Sequence, residues 1–109
     1  MATTFKNKVI KEVGLLPVLA LETNAGTRST VIGLSLANLT EYPVYASVLI
    51  NDDTSVQGYY LKDVLVPPNT SLRALSAGEK LILAPTNAMY IVADTDESLD
   101  AVISYVDIV

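Results

Sequence analysis

The sequence predicts an all-β protein: a single antiparallel β-sandwich over residues 1–109, jelly-roll-like or immunoglobulin-like, with eight or nine short strands. Short runs rich in Val, Ile, Leu and Tyr recur at fairly regular intervals, separated by clusters of Gly, Pro, Asn and Asp. No stretch offers a helix: Leu61 to Leu65 is too short, and Lys11 to Leu21 contains Gly14 and Pro17. Half of the residues are hydrophobic and the mean hydropathy is +0.40, so a core of Val, Ile and Leu is easily assembled. A small barrel is the alternative, and the sequence does not specify strand order.

Phe5 to Val13 is the first expected strand. Pro17 to Glu22 is the second, with its proline at the start, where no ladder hydrogen bond is lost. Thr23-Asn24-Ala25-Gly26 turns the chain into Ser29 to Asn38. There Val31, Ile32, Leu34 and Leu36 are interleaved with small Gly33, Ser35 and Ala37, which lets another layer approach closely. Glu41-Tyr42-Pro43 breaks the pattern before Val44 to Ile50, the clearest buried strand. The polar loop Asn51-Asp52-Asp53-Thr54-Ser55 leads to Tyr59 to Val66. Pro67-Pro68-Asn69 ends that strand, since neither proline has an N–H to donate. Thr70 to Leu75 and Lys80 to Leu83 are short strands on either side of an Ala77-Gly78 turn, and Pro85 stops the second. Met89 to Ala93 and Leu99 to Val109 complete the set around an acidic turn.

Nearly every strand carries apolar residues on both faces. Val44, Ala46, Val48 and Ile50 fall on one side of the fourth strand; Tyr45, Ser47 and Leu49 fall on the other. Val102-Ile103-Ser104-Tyr105-Val106 behaves alike. A domain this small has one core and cannot bury both faces of all its strands. The surplus predicts contact with other chains: a homo-oligomer, with trimers preferred. Tyrosine is amphipathic and suits such contacts. The candidate interface residues are Tyr45, Leu49, Tyr59, Tyr60, Tyr90 and Tyr105. Tyr59 and Tyr60 are adjacent, so a strand turns them to opposite sides.

The net charge is −5 and 17% of the residues are charged. An acidic chain without clustered Lys and Arg is a poor match for nucleic acid. Lys6, Lys8 and Lys11 form a basic N-terminal edge, while Leu81 to Val109 has no basic residue. That asymmetry suits positive-to-negative contacts between neighbouring subunits. The three lysines precede the apolar run Val13 to Leu21, but Glu12, Pro17 and the missing small-residue cleavage site argue against a secretory signal. No segment approaches the ~20 apolar residues of a membrane helix, so no membrane partner is expected.

Catalytic chemistry is sparse. The chain has no His and no Cys, which removes the usual neutral-pH base, the Ser-His-Asp and Cys-His arrangements and the commonest transition-metal ligands. Lys62 and Lys80 stand in strands without a nucleophile motif, and the glycines form no phosphate cradle. Asp52-Asp53 sits in a loop where Asp is a turn former; a carboxylate enzyme using Asp52, Asp53 or Asp94 is the catalytic alternative. Asp94-Thr95-Asp96-Glu97-Ser98-Leu99-Asp100 has the alternating oxygens of a calcium loop, but Leu99 replaces the bending glycine and Tyr105 the bidentate Glu. An acidic hairpin tip is the reading adopted, and no cofactor or metal is expected. Asn38-Leu39-Thr40 and Asn69-Thr70-Ser71 match the glycosylation sequon but read as turn chemistry.

Val31-Ile32-Gly33-Leu34-Ser35-Leu36-Ala37-Asn38, Leu61-Lys62-Asp63-Val64-Leu65-Val66-Pro67-Pro68 and Gly78-Glu79-Lys80-Leu81-Ile82-Leu83 occur in sequence, with Leu99-Asp100-Ala101-Val102-Ile103-Ser104 near the end. Across almost the whole chain this layout resembles small structural proteins of tailed bacteriophages. The resemblance implies a non-catalytic β-sandwich located in the virion. A capsid decoration or cement protein contacting the major capsid protein is expected first, and a neck, tail or fibre-base component second. It carries over no functional residue. A module that binds carbohydrate or a host surface through a concave site near Tyr42, Tyr59 or Tyr90 is the remaining alternative.

Overall fold

The computed structural model describes residues 2–75 and 80–109; the turn expected at Ala77-Gly78 lies outside the described residues. Among the described residues nine strands form: β1 (Thr3–Val13), β2 (Val18–Glu22), β3 (Arg28–Asn38), β4 (Val44–Asn51), β5 (Gln57–Val66), β6 (Ser71–Arg73), β7 (Leu81–Leu83), β8 (Ala88–Ala93) and β9 (Leu99–Ile108). They make two antiparallel sheets packed face to face. One has the order β1-β9-β3-β6, with β7 also on β3; the other is β2-β8-β4-β5.

The pairing is nested. β1 pairs with β9, β2 with β8, β3 with β6 and β7, and β4 with β5. Cross-pairs β3·β9 and β4·β8 close the two sheets. A long hairpin rolled over in this way is a jelly roll. The edge opposite β1 comes in two pieces, because β6 lies against Ser35 to Ala37 and β7 against Ser29 to Val31.

The inner faces supply the core. Val31, Leu34, Leu36, Val44, Val48, Val66, Leu83, Met89, Ile91, Leu99 and Ile103 are buried in one continuous cluster. A β-bulge sets which residues of β3 reach it. Val31 pairs with Tyr105 and Gly33 with Ser104, so Ile32 is an extra residue and the strand changes phase there. Ser29 and Val31 point inward before the bulge, Leu34 and Leu36 after it, and Ile32 stays out. Strict alternation would put Ile32 on the same face as Leu34 and Leu36; the bulge separates them. A second bulge, between Val48 and Leu49 on the β4·β5 ladder, turns both Tyr60 and Leu61 toward the core and leaves Tyr59 outside.

Polar side chains tie the ends. Asn38 is buried; its Nδ2 donates to the Tyr42 and Val66 carbonyls, and its Oδ1 accepts from the Thr40 N–H and hydroxyl. Thr23 donates to the Ala84 carbonyl and accepts from the Asn87 N–H, holding β2 to the β7–β8 turn.

Candidate interface surfaces

The edges and the faces of the sandwich have different characters. β1 is a long edge strand. Lys6 pairs with Tyr105 and Lys8 with Ile103, residues of the inner face, so these two lysines point inward at the rim of the sandwich. Inward charge on an edge blocks pairing with another strand. β5, the edge of the other sheet, is bulged at Lys62 and Asp63: the Ser47 hydroxyl accepts from the Asp63 N–H, and Asp63 takes a left-handed φ of 48°. β2 is short and is preceded by Pro17. Docking by edge addition is disfavoured at these three edges.

The outer face of the β2-β8-β4-β5 sheet gathers four of the sequence-selected residues. Leu19, Tyr90, Leu49 and Tyr59 lie side by side across all four strands, and Tyr45 pairs with Leu65 beyond them. Tyr45 and Tyr59 are exposed, and Tyr90 is partly so. Leu49 is outside the core cluster yet only 8% exposed, because it sits between the tyrosines of β8 and β5. The Lys62 Nζ stands 5.4 Å from the centre of the Tyr59 ring. Tyr60 and Tyr105 go the other way and pack against the core. The structure thus brings Tyr45, Leu49, Tyr59 and Tyr90 together and places Tyr60 and Tyr105 elsewhere.

The outer face of the other sheet is barer, and the residue-by-residue reading of tyrosines passed over it. Phe5 is 75% exposed, Val9 60% and Ile82 61%, with Ile32 and Val102 also exposed. The register arranges this face in cross-strand rows. Phe5, Val106, Thr30 and Ile82 form one; Asn7, Ser104 and Gly33 the next; Val9, Val102, Ser35 and Arg73 the third; Asp100, Ala37 and Ser71 the fourth. Bulky rows therefore alternate with small ones. Asn7 and Ser104 of the second row lie in a shallow trough of ≈ 560 Å³ that is also lined by Phe5, Lys6, Ile32 and Tyr105. The signal was present in the sequence, in Phe5 and Val9 on one side of β1 and in the small residues of β3.

The residues considered for chemistry are engaged in turns. The Asp52 carboxylate accepts from the Thr54 hydroxyl, the Thr54 N–H and the Val56 N–H; these bonds, the Thr54 hydroxyl foremost, hold it below the usual carboxylate range. Asp94 accepts from the Tyr45 N–H, and Asp100 from the Glu12 N–H in the β1 bulge. Among the described residues no three carboxylates converge as a metal site requires. Asn38 spends its amide on two buried carbonyls, and Asn69 is an exposed turn residue with φ 51°. A small open hollow is bounded by Tyr45, Asp63 and Asp94.

In comparison with known proteins, no protein family, curated protein or solved structure matches this chain.

Proposed function

We propose that this protein is a non-catalytic structural subunit that self-associates and mounts on a larger particle, as a capsid decoration or cement protein of a tailed-phage virion. The observation that carries the reading is the apolar surface left on the outer faces of both sheets, from Phe5, Val9 and Ile82 on one to Tyr45, Tyr59 and Leu65 on the other. Exposed apolar area of this kind marks contact with other chains. The jelly roll supports the reading at the level of architecture, since viral capsid domains use it, as do lectins and cupins. Aliphatic side chains fill the interior in which a cupin would hold a metal through histidines, and the chain has no histidine.

The mechanism is mechanical. Each apolar face buries against a neighbour, at ~800 Å² per partner for a contact of standard size. Many weak contacts on a symmetric shell add through avidity. A neck, tail or fibre-base position differs in location and not in physics. The exposed tyrosines Tyr45 and Tyr59 on one face support a second reading, a carbohydrate- or host-surface-binding module; binding to a glycan array by the purified protein is its test.

Labelled protein added to purified phage particles should saturate at a fixed stoichiometry per capsid and protect the shell against heat. Protein that stays free in solution, with no copies detected in purified virions by mass spectrometry, would remove the particle from the reading.

A further inference from the structure

We propose that the outer face of the β1-β9-β3-β6 sheet docks on the same face of a second copy of this chain, bulky rows over small rows. The proposal rests on the self-association reading above and names the surface that carries it. Four features of the face support this occupant.

The first is shape. The row of Phe5, Val106 and Ile82 stands beside the low row of Asn7, Ser104 and Gly33, and the row of Val9 and Val102 stands beside the low row of Ala37 and Ser71. A face that alternates in this way is its own complement: turned over by a two-fold axis and shifted by one row, its ridges meet its valleys. The trough beneath Phe5 and Ile32 is open and ready to take a side chain of the partner.

The second is charge. The chain carries −5 overall, so two copies repel unless they meet on a neutral patch. The centre of this face is neutral. Arg28, Arg73 and Asp100 stand at its margin, which is the apolar-centre, charged-rim layout of specific interfaces.

The third is area. From Ile108 to Asp100 the rows span about 27 Å, and four strands span about 19 Å, at ~3.4 Å per residue and ~4.8 Å per strand. The flat footprint is about 500 Å², and the accessible area of a corrugated face exceeds its footprint, bringing it to the ~600 Å² per partner where specific interfaces begin.

The fourth is the contrast between the sheets. On the opposite face Leu49 is already covered by its own chain and Lys62 lies over Tyr59. The β1-β9-β3-β6 face has no such internal cover over Phe5, Val9 and Ile82. A self-complementary face closes at two copies, so this surface builds a dimer in place of the trimer that the strand pattern alone suggests.

Sedimentation of the full chain at micromolar concentrations tests this. The wild type should be a dimer. Phe5→Glu with Val9→Glu should weaken association about tenfold or more, and Ser35→Arg, which adds charged bulk at the small position beside Val102, should do the same. Each variant should keep the wild-type circular dichroism spectrum, since all three positions lie outside the core. Tyr59→Glu, on the opposite sheet, should leave the dimer intact. A dimer that survives Phe5→Glu/Val9→Glu and Ser35→Arg but is lost in Tyr59→Glu would overturn the assignment of the face and leave self-association standing. A trimer would overturn the two-fold arrangement. A wild-type monomer would overturn both.

Discussion

At the scale of single residues, Asp107 is where the charge on β1 is used. Its carboxylate accepts from the buried Ser29 hydroxyl and lies 3.0 Å from the Lys6 ammonium. Burial pushes the Asp107 carboxyl up, but the Ser29 hydroxyl and Lys6 together outweigh it and hold the group below its ordinary value of 3.8. Lys6 is raised above 10.5 by the same partner, through the hydrogen bond first and its charge second. A lowered carboxyl stabilises the folded state above its unfolded pKa. That stability is lost as pH falls below 3.8 through the folded value. The lysine contribution is present below 10.5 and lost as pH rises past its folded value. Asp107→Asn should therefore melt lower than wild type at neutral pH, by a small margin for a pair at the rim. Thermal melts from neutral to strongly acid pH should show the two proteins converging below 3.8. A constant gap across that range would mean that the carboxylate charge is not what matters. Single residues were unevenly legible. Val44, Ala46 and Val48 fell inward as alternation required. Leu49 fell outward, but its cover by tyrosines from two other strands depends on pairings that no local pattern encodes.

At the scale of elements, the described residues form nine strands where the sequence predicts eight or nine, because turn residues mark strand ends locally. What the sequence could not display was register. The bulges at Ile32, at Tyr60 and at Lys11-Glu12 each shift the face of every following residue, and a bulge is defined by the strand opposite. The β1–β2 corner shows how tightly such elements fit. Gly14 accepts from the Ala93 N–H, and Val13 from the Ser98 N–H, so the corner clamps the acidic β8–β9 turn. A Cβ on Gly14 would meet Asp96 Oδ1 at 2.7 Å and the Glu97 nitrogen at 3.0 Å. Glu97 itself is held at φ 47°, which leaves the turn little room to give. Gly14→Ala should cost about 1–3 kcal/mol by overpacking. Gly58→Ala is the control, since a Cβ there meets nothing within 4 Å. Urea unfolding should separate the two variants; equal midpoints would show that the corner yields freely.

At the scale of the whole molecule, the jelly roll explains why both sheets keep an apolar outer face at so small a size. Its nested pairing commits one face of every strand to a single shared core, and among the described residues no helix forms to cover the other faces. A second copy docked on the β1-β9-β3-β6 face, as proposed, would complete that missing layer and link association to folding. Whatever binds the folded state and not the unfolded chain raises the melting temperature by mass action. For a dimer, each tenfold rise in concentration adds about 1.4 kcal/mol per pair of chains, or about 0.7 per chain. A domain of this length shifts by roughly 4–8 °C per kcal/mol, so the melting temperature should climb by about 3–6 °C per tenfold rise in protein concentration. The same titration on Phe5→Glu/Val9→Glu should be flat and should start lower. The contact is apolar at its centre, so added salt should leave the slope unchanged, whereas a contact held between Lys6, Lys8 and the acidic turn of a neighbour would lose its slope as salt screens the charges. A wild-type melting temperature independent of concentration would mean that each chain is stable alone with Phe5, Val9 and Ile82 in water, and the missing layer would have to come from a different partner.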